Sequence, residues 1–244
     1  IEAVEPRQRA FTRLAPTARG EYQQVLLANP DQMVLVFAAA QPEPRLRMLD
    51  RFLVIAERDH IPALIVVNKA DLVGPEQAAA MFSVYPPLGY PVVVTAARTG
   101  YGIEELRQHL TGKLSALAGP SGVGKSSLLN AIQPELGLKV SAVSEATSKG
   151  RHTTVVRQLF PLAGGGFVAD LPGMRQLALW DIEPEELDGY FPELRSLVKY
   201  CQYSDCTHLE EPGCAVIQAV QEGEVSEERY ESYLRLRFGD ELEV

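Results

Sequence analysis

The sequence of 244 residues is poor in cysteine, in long apolar runs and in positive charge. Three cysteines are an odd number, so they cannot form a complete disulfide framework. The longest apolar run, Met33 to Ala40, is far short of the roughly 20 residues a bilayer-spanning helix needs. No positively charged leader precedes an apolar stretch, so neither a secretory signal nor a membrane partner is expected. The net charge of −9 argues against a broad basic face that coats nucleic acid, though it leaves room for a local basic patch. Internal repeats and low-complexity tracts are lacking as well. These absences point to a soluble, cored protein of the reducing cytoplasm.

What is present over the first two thirds is an alternation of apolar runs and helix-like periodicity, the pattern of a largely parallel α/β sheet. Strands are predicted at Met33–Ala38, Ala63–Val67, Val92–Thr95 and Lys113–Ala118. Helices are predicted over Pro44–Arg58, Pro75–Phe82, Ile103–Leu110 and Gly124–Ile132, the last stopped by Pro134. Leu138 to Thr154 is polar, with the composition of a loop. Val155–Phe160 and Phe167–Ala169 read as paired strands around Gly164-Gly165-Gly166. Beyond Gly173 the rhythm ends. The tail carries a helical pattern near Glu183–Leu187, a cysteine cluster, and helices at Ala215–Gln221 and Glu227–Phe238, with Ser226 as N-cap of the last.

The segment Gly119-Pro120-Ser121-Gly122-Val123-Gly124-Lys125-Ser126-Ser127 fits G-x-x-x-x-G-K-S/T, after a strand and opening a helix. Its glycines let backbone N–H groups close around phosphate oxygens, and the helix N-terminus adds partial positive charge. Lys125 is expected to reach the β- and γ-phosphates, and the Ser126 hydroxyl to bind Mg²⁺. Asn68-Lys69-Ala70-Asp71 closes a buried strand. One carboxylate, that of Asp71, can accept from both N1–H and the 2-amino group of guanine, donors that adenine lacks. The Lys69 stem can cover the base. Alone these four residues read equally as a polar turn; with the phosphate loop in the same chain the guanine reading prevails.

Asp170-Leu171-Pro172-Gly173 ends another apolar strand, where Asp170 can bind Mg²⁺ through water and the Gly173 N–H can meet the γ-phosphate. Thr95-Ala96-Ala97 would be the backbone support for the base and is the weakest of these motifs. In sheet order the parts form a Ras-like P-loop GTPase domain that is circularly permuted, with the guanine-reading motif placed before the phosphate loop. The Asp170–Gly173 switch then leads straight into the cysteine-bearing tail, so nucleotide state is expected to reach that tail directly.

The tail's cluster is Cys201-x4-Cys206-x-His208-x5-Cys214. Three thiolates and an imidazole are a complete tetrahedral set, so one structural zinc is expected, with no open catalytic position. In the polar loop, Gly150-Arg151-His152-Thr153-Thr154 stands where a switch threonine meets Mg²⁺ and the γ-phosphate. Thr154 is preferred to Thr153, but spacing does not decide between them. Ras-type enzymes orient the attacking water with Gln just after D-x-x-G, and this chain has Met174 there. His152 is the alternative water-orienting group, against the plainer reading of a solvated histidine. Arg229, Arg235 and Arg237 read as a solvated helix face, with RNA phosphate contact as the alternative.

Together these motifs, with Asn29-Pro30-Asp31-Gln32 and the run from Cys201 through Cys214 to Val216, make the chain similar to the small ribosomal subunit biogenesis GTPase family, RsgA. The resemblance implies a cytoplasmic enzyme that hydrolyses GTP to GDP under stimulation by the 30S subunit and acts in late subunit maturation; a monomer is expected. It implies Mg²⁺ with GTP, one structural zinc, contact with 16S rRNA, and a role in hydrolysis for His152. The expected domains are 1–13 as the last strand of an RNA-contacting OB-fold, 14–175 as the permuted GTPase domain, and 176–244 as a mainly helical zinc-binding domain. With so little of the OB-fold, weakened ribosome binding is expected. Rival functions are a nucleotide-gated binding module and a P-loop ATPase or kinase, the latter opposed by Asp71.

Overall fold

Seven consecutive buried residues, Gln32–Ala38, form the central strand β3. A run this apolar, rich in Val, Leu and Phe, suits a strand covered on both faces. The computed structural model describes residues 6–17, 20–138, 158–170 and 182–239. Around β3 lie β4 (Ala63–Asn68), β5 (Val92–Val94), β6 (Leu114–Ala118), β7 (Gln158–Pro161) and β8 (Phe167–Asp170). The sheet order is β5-β4-β3-β6-β8-β7, parallel throughout except for β7, which runs antiparallel to β8. Every strand predicted for this region is present, with its described ends within one residue of expectation; the expected start of β7, residues 155–157, lies outside the described residues.

Side-chain alternation divides the burial between the two sheet faces. Val34, Val36, Leu64, Val66, Val93, Leu117 and Val168 share one core with Ile103, Leu106 and Leu110 of helix α3 (Ile103–Leu110) and Leu128, Leu129 and Ile132 of helix α4 (Lys125–Ile132). The alternate residues Met33, Leu35, Phe37, Ile65 and Val67 are equally buried. A further helix, α2 (Pro75–Ala80), follows β4, and Phe82 and Tyr85 just beyond it are fully buried against each other, with ring centroids 6.2 Å apart.

The sequence periodicity did not mark the N-terminal hairpin, β1 (Ala10–Thr17) paired antiparallel with β2 (Gly20–Ala28). The Asn29-Pro30-Asp31-Gln32 run explains how it is held. Asn29, at φ 50°, accepts through Oδ1 from the Gln8 N–H at 2.9 Å and donates through Nδ2 to the Pro6 carbonyl at 3.1 Å. Asp31 accepts from the Leu114 N–H at 2.7 Å, and Gln32 donates to the His109 carbonyl at 2.8 Å and the Ser115 hydroxyl at 3.0 Å. This run therefore knits the hairpin's exit to the start of β6.

The chain divides into two compact units, residues 1–44 with 59–177, and residues 45–58 with 178–244. Helix α1 (Leu46–Arg58) thus groups with the tail although its sequence lies between β3 and β4. The second unit also holds α5 (Pro192–Arg195), α6 (Ala215–Gln221) and α7 (Glu227–Phe238). The helical pattern near Glu183 is a 3-10 segment, Pro184–Tyr190. Ser226 caps α7 as expected, its side chain accepting from the Arg229 N–H.

Arg229 corrects the reading of α7. It is 2% exposed rather than solvated, so it is neither a surface charge nor a contact for RNA phosphate. Its Nη1 donates to Asp50 of α1 at 2.5 Å, its Nε and Nη2 to the two Glu193 oxygens at 2.7 and 3.2 Å, and its guanidinium lies 4.5 Å from the Phe191 ring centre. A buried guanidinium needs all these partners, because an unpaired charge in the interior costs several kcal/mol.

Candidate functional site

Because the strands are parallel, β4, β5, β6 and β8 all deliver their motifs to one edge of the sheet, outside their carboxyl ends. The chain leaves β3 for β4 and β5 on one side, then returns to β6 on the other, which is the topological switch point where α/β sheets bind ligands.

The phosphate-loop sequence requires its glycines. Gly119, Gly122 and Gly124 have φ of 141°, 81° and 94°, and a Cβ on Gly119 would sit 2.1 Å from the Val36 carbonyl oxygen. Lys125 begins α4, and its ammonium donates to the Gly119 and Pro120 carbonyls at 2.9 and 2.7 Å, spanning the loop. Val123 is 1% exposed and packs in the core, so it serves the loop through its backbone.

Asn68 joins three motifs. Fully buried at the end of β4, it donates through Nδ2 to the Val123 carbonyl at 2.8 Å. Its Oδ1 accepts from the Ala97 N–H at 3.2 Å and the Thr95 hydroxyl at 3.3 Å. Gly124 is needed here too, since its Cβ would stand 2.4 Å from the Asn68 nitrogen. Asn68 and Thr95 are therefore braces between the base loop and the phosphate loop. The Ala70 N–H donates to the Thr95 carbonyl and the Ala96 N–H to that of Tyr101, which fixes the base loop's backbone.

Lys69, in the left-handed region at φ 62°, sends its ammonium to the Gln41 carbonyl. Burial lowers its pKa, and the Asp71 carboxylate opposes that shift. Asp71 accepts from Arg98, a partner the sequence reading missed, with Nη2 at 2.8 Å and Nε at 3.1 Å from Oδ2. Gln41, Asn68, Lys69, Asp71, Gly124 and Ser127 are among the residues lining a cavity of about 280 Å³. That is near the small end of ligand pockets, which begin at roughly 300 Å³.

On the other side of β6, Asp170 ends β8. Burial raises its carboxyl pKa and the nearby Lys125 opposes the rise. Its Oδ1 is buried with no hydrogen-bond partner among the described residues. An orphaned carboxylate oxygen beside a phosphate loop fits a group that reaches Mg²⁺ through water. Ser126 lies in the first turn of α4. His152, Thr153, Thr154 and Gly173 lie outside the described residues.

In the second unit the ligand atoms of Cys201, Cys206, His208 and Cys214 all lie within 4.8 Å of one another. Cys201 Sγ is 3.9 Å from Cys214 Sγ, and His208 Nδ1 is 3.3 Å from Cys214 Sγ. Sulfurs bound tetrahedrally at about 2.3 Å from one metal stand about 3.8 Å apart, so the Cys201–Cys214 pair already has the spacing of two ligands of one ion. The other imidazole nitrogen, Nε2, lies 3.1 Å from Asp188, the carboxylate partner that orients a ligating histidine. Cys214 caps α6; burial raises its thiol pKa, and the hydrogen bond it accepts from the Ile217 N–H opposes that rise. Burial pushes the metal-free Cys206 thiol up to about 12, so metal binding there must displace a proton.

The loop that presents His208 is built by residues whose roles the spacing did not reveal. Tyr230 and Tyr233, on one face of α7, donate to the His208 and Thr207 carbonyls at 2.6 and 3.0 Å. Glu211 accepts from the Thr207 N–H at 2.7 Å, the Thr207 hydroxyl and the Leu209 N–H at 3.0 Å. Burial alone would raise its pKa, but these bonds prevail and hold it at about 2. A depressed carboxylate contributes stability above its unfolded pKa of about 4.3, and loses it as pH falls toward the folded value. Glu211→Gln is expected to destabilise the protein by about 1 kcal/mol at pH 7, allowing for solvent screening. That difference from the unmodified chain should shrink steadily below about pH 4.5 in thermal-unfolding measurements. A difference independent of pH would mean that the charge is not what organises the loop.

A parallel sheet that brings a phosphate loop, a D-x-x-G aspartate, an N-K-x-D segment and a base loop to one edge, with the last two preceding the first in sequence, defines a circularly permuted P-loop GTPase. Comparison with known proteins gives the same class. The RsgA GTPase family matches residues 4–180. The small ribosomal subunit biogenesis GTPase RsgA of Gemmatimonas aurantiaca is 53% identical over 243 residues, covering 99% of this chain and 78% of the relative. The crystal structure of YjeQ from Thermotoga maritima superposes with a TM-score of 0.78 at 41% identity, over 97% of this chain and 77% of that one. YloQ, described as a circularly permuted GTPase, gives 0.71 at 34% identity, over 96% and 72%. The chain belongs to the RsgA GTPase family.

Proposed function

We propose that the chain hydrolyses GTP in the late maturation of the small ribosomal subunit, under stimulation by the 30S particle. Membership of the family supports this, as do the names of its relatives. The observation that carries the chemistry is the Asn68 brace, which holds the base loop and the phosphate loop in one rigid frame. A guanine read by Asp71 and stacked on the Lys69 stem then sits at a fixed distance from the loop Gly119–Ser127.

In this reading the backbone of Gly119 through Ser127 cradles the phosphates. Lys125 exchanges the Gly119 and Pro120 carbonyls for β- and γ-phosphate oxygens. Ser126, Asp170 and Thr154 (or Thr153) would hold Mg²⁺, which supplies neutralisation of the charge developing between the β- and γ-phosphates. The Gly173 N–H donates to the γ-phosphate, and His152 orients the attacking water. Cys201, Cys206, His208 and Cys214 hold one structural zinc. The partners are GTP and GDP, the 30S subunit and its 16S rRNA. The protein acts as a monomer in the cytoplasm; among the described residues no helix is long and apolar enough to cross a membrane.

Steady-state GTP turnover with and without 30S particles tests this reading. The particles are expected to accelerate turnover, and ATP in excess is expected not to compete. His152→Ala should lower the stimulated rate by about 100-fold, the scale of general acid–base assistance, while leaving GDP affinity within about twofold. Undiminished stimulated turnover would remove His152 from the mechanism, and no acceleration by 30S would favour a nucleotide-gated binding module.

A further inference from the structure

We infer that Arg98 determines guanine specificity by positioning: it holds the Asp71 carboxylate in the plane in which the base is read. The inference rests on the proposed guanine reading of the same cavity. Arg98 follows the base loop directly and lines the cavity with Asp71 and Lys69. Its guanidinium makes one hydrogen bond, from Nε to Oδ2 at 3.1 Å, with Nη2 in ion-pair contact with the same oxygen at 2.8 Å. The Asp71 side chain is 13% exposed and that of Arg98 78%, so the arginine approaches from the solvent side.

A carboxylate offers about four lone-pair sites on two oxygens. Guanine needs only one site on each oxygen, for N1–H and for the 2-amino group. With the single Arg98 hydrogen bond confined to Oδ2, both sites of Oδ1 and the second site of Oδ2 stay available to the base. The last torsion of an aspartate is broad, so an unrestrained Asp71 carboxylate would rotate about its Cβ–Cγ bond. Two donors on one edge of guanine require both oxygens in the base plane. Hypoxanthine lacks the 2-amino group and presents only N1–H, so it tolerates that rotation. Loss of the restraint therefore costs guanine binding more than hypoxanthine binding, and the ratio of the two affinities reports the carboxylate's orientation. An exposed ion pair is a modest restraint, which sets the expected change at about threefold to fivefold.

The test is calorimetric titration of the whole chain with GDP, IDP and ADP. Arg98→Ala is expected to weaken GDP about threefold to fivefold while IDP stays within about twofold, so that the GDP-to-IDP preference falls. Arg98→Lys, which keeps a charged donor, is expected to recover part of that preference, and both variants should melt at the temperature of the unmodified chain. An unchanged preference in Arg98→Ala, a tighter GDP complex, or no recovery in Arg98→Lys overturns the inference. A parent chain that binds ADP as tightly as GDP overturns the guanine reading itself, which is a separate result.

Discussion

Cys206→Ala is expected to cut bound zinc below half an equivalent per chain and to unfold the second unit. The side chain is 6% exposed, among Leu187, Phe191, Leu194 and Tyr233 in the core of that unit. Losing one thiolate leaves an incomplete ligand set, and the loop carrying His208 loses the ion around which it closes. The remaining core is small, so metal binding and folding are coupled. Loss of a structural metal is among the few single changes that exceed about 4 kcal/mol. Metal analysis by mass spectrometry, with far-ultraviolet circular dichroism during heating, checks this. Chelator treatment of the unmodified chain should give the same melting curve. A variant that keeps a full equivalent of zinc and an unchanged melting temperature would exclude the Cys3His site as a structural centre.

Asn68→Ala should be the most damaging change in the first unit. It removes the donor to the Val123 carbonyl and the acceptor of the Ala97 N–H, leaving both groups without that partner. Each buried orphan costs about 1–3 kcal/mol, so a total near 3–4 kcal/mol is expected in denaturant unfolding. GDP affinity should fall at least about 100-fold, because the base and phosphate loops lose their shared frame. Asn68→Asp is the sharper comparison. It is nearly isosteric, yet it sets a carboxylate oxygen 2.8 Å from the Val123 carbonyl oxygen in place of an N–H donor. Asp at this position is therefore expected to be at least as damaging as Ala. If Asn68→Asp bound GDP normally, Asn68 would be a bystander and the coupling between the two loops would rest elsewhere.

The first unit was largely legible in the sequence because its signals are local. Helix α3 occupies the residues its periodicity predicted, and β4 differs by one residue. Glycines announced the phosphate loop because a Cβ at Gly119 or Gly124 would collide with neighbours, and no other residue type relieves that collision. The hairpin of β1 and β2 escaped notice because what ties it down is the clamp at Asn29, not an apolar repeat. In the tail, the 14-residue cysteine span marked a cluster that could hold a metal, while Asp188, Glu211, Tyr230 and Tyr233, which shape and support it, gave no pattern of their own.

By itself, then, the sequence determined the order of the motifs, the parallel α/β class and the membership of the Cys3His cluster, since each depends on residue type and short spacing. The tertiary structure alone decided which polar groups meet. Asn68 finds Val123 across 55 residues, Arg98 finds Asp71 across 27, and Arg229 finds Asp50 across 179. No periodicity encodes such pairings. A buried polar group must be matched wherever the fold supplies a partner, and only the folded chain shows that the charge on α7 is buried and that the asparagine of the base motif braces the phosphate loop.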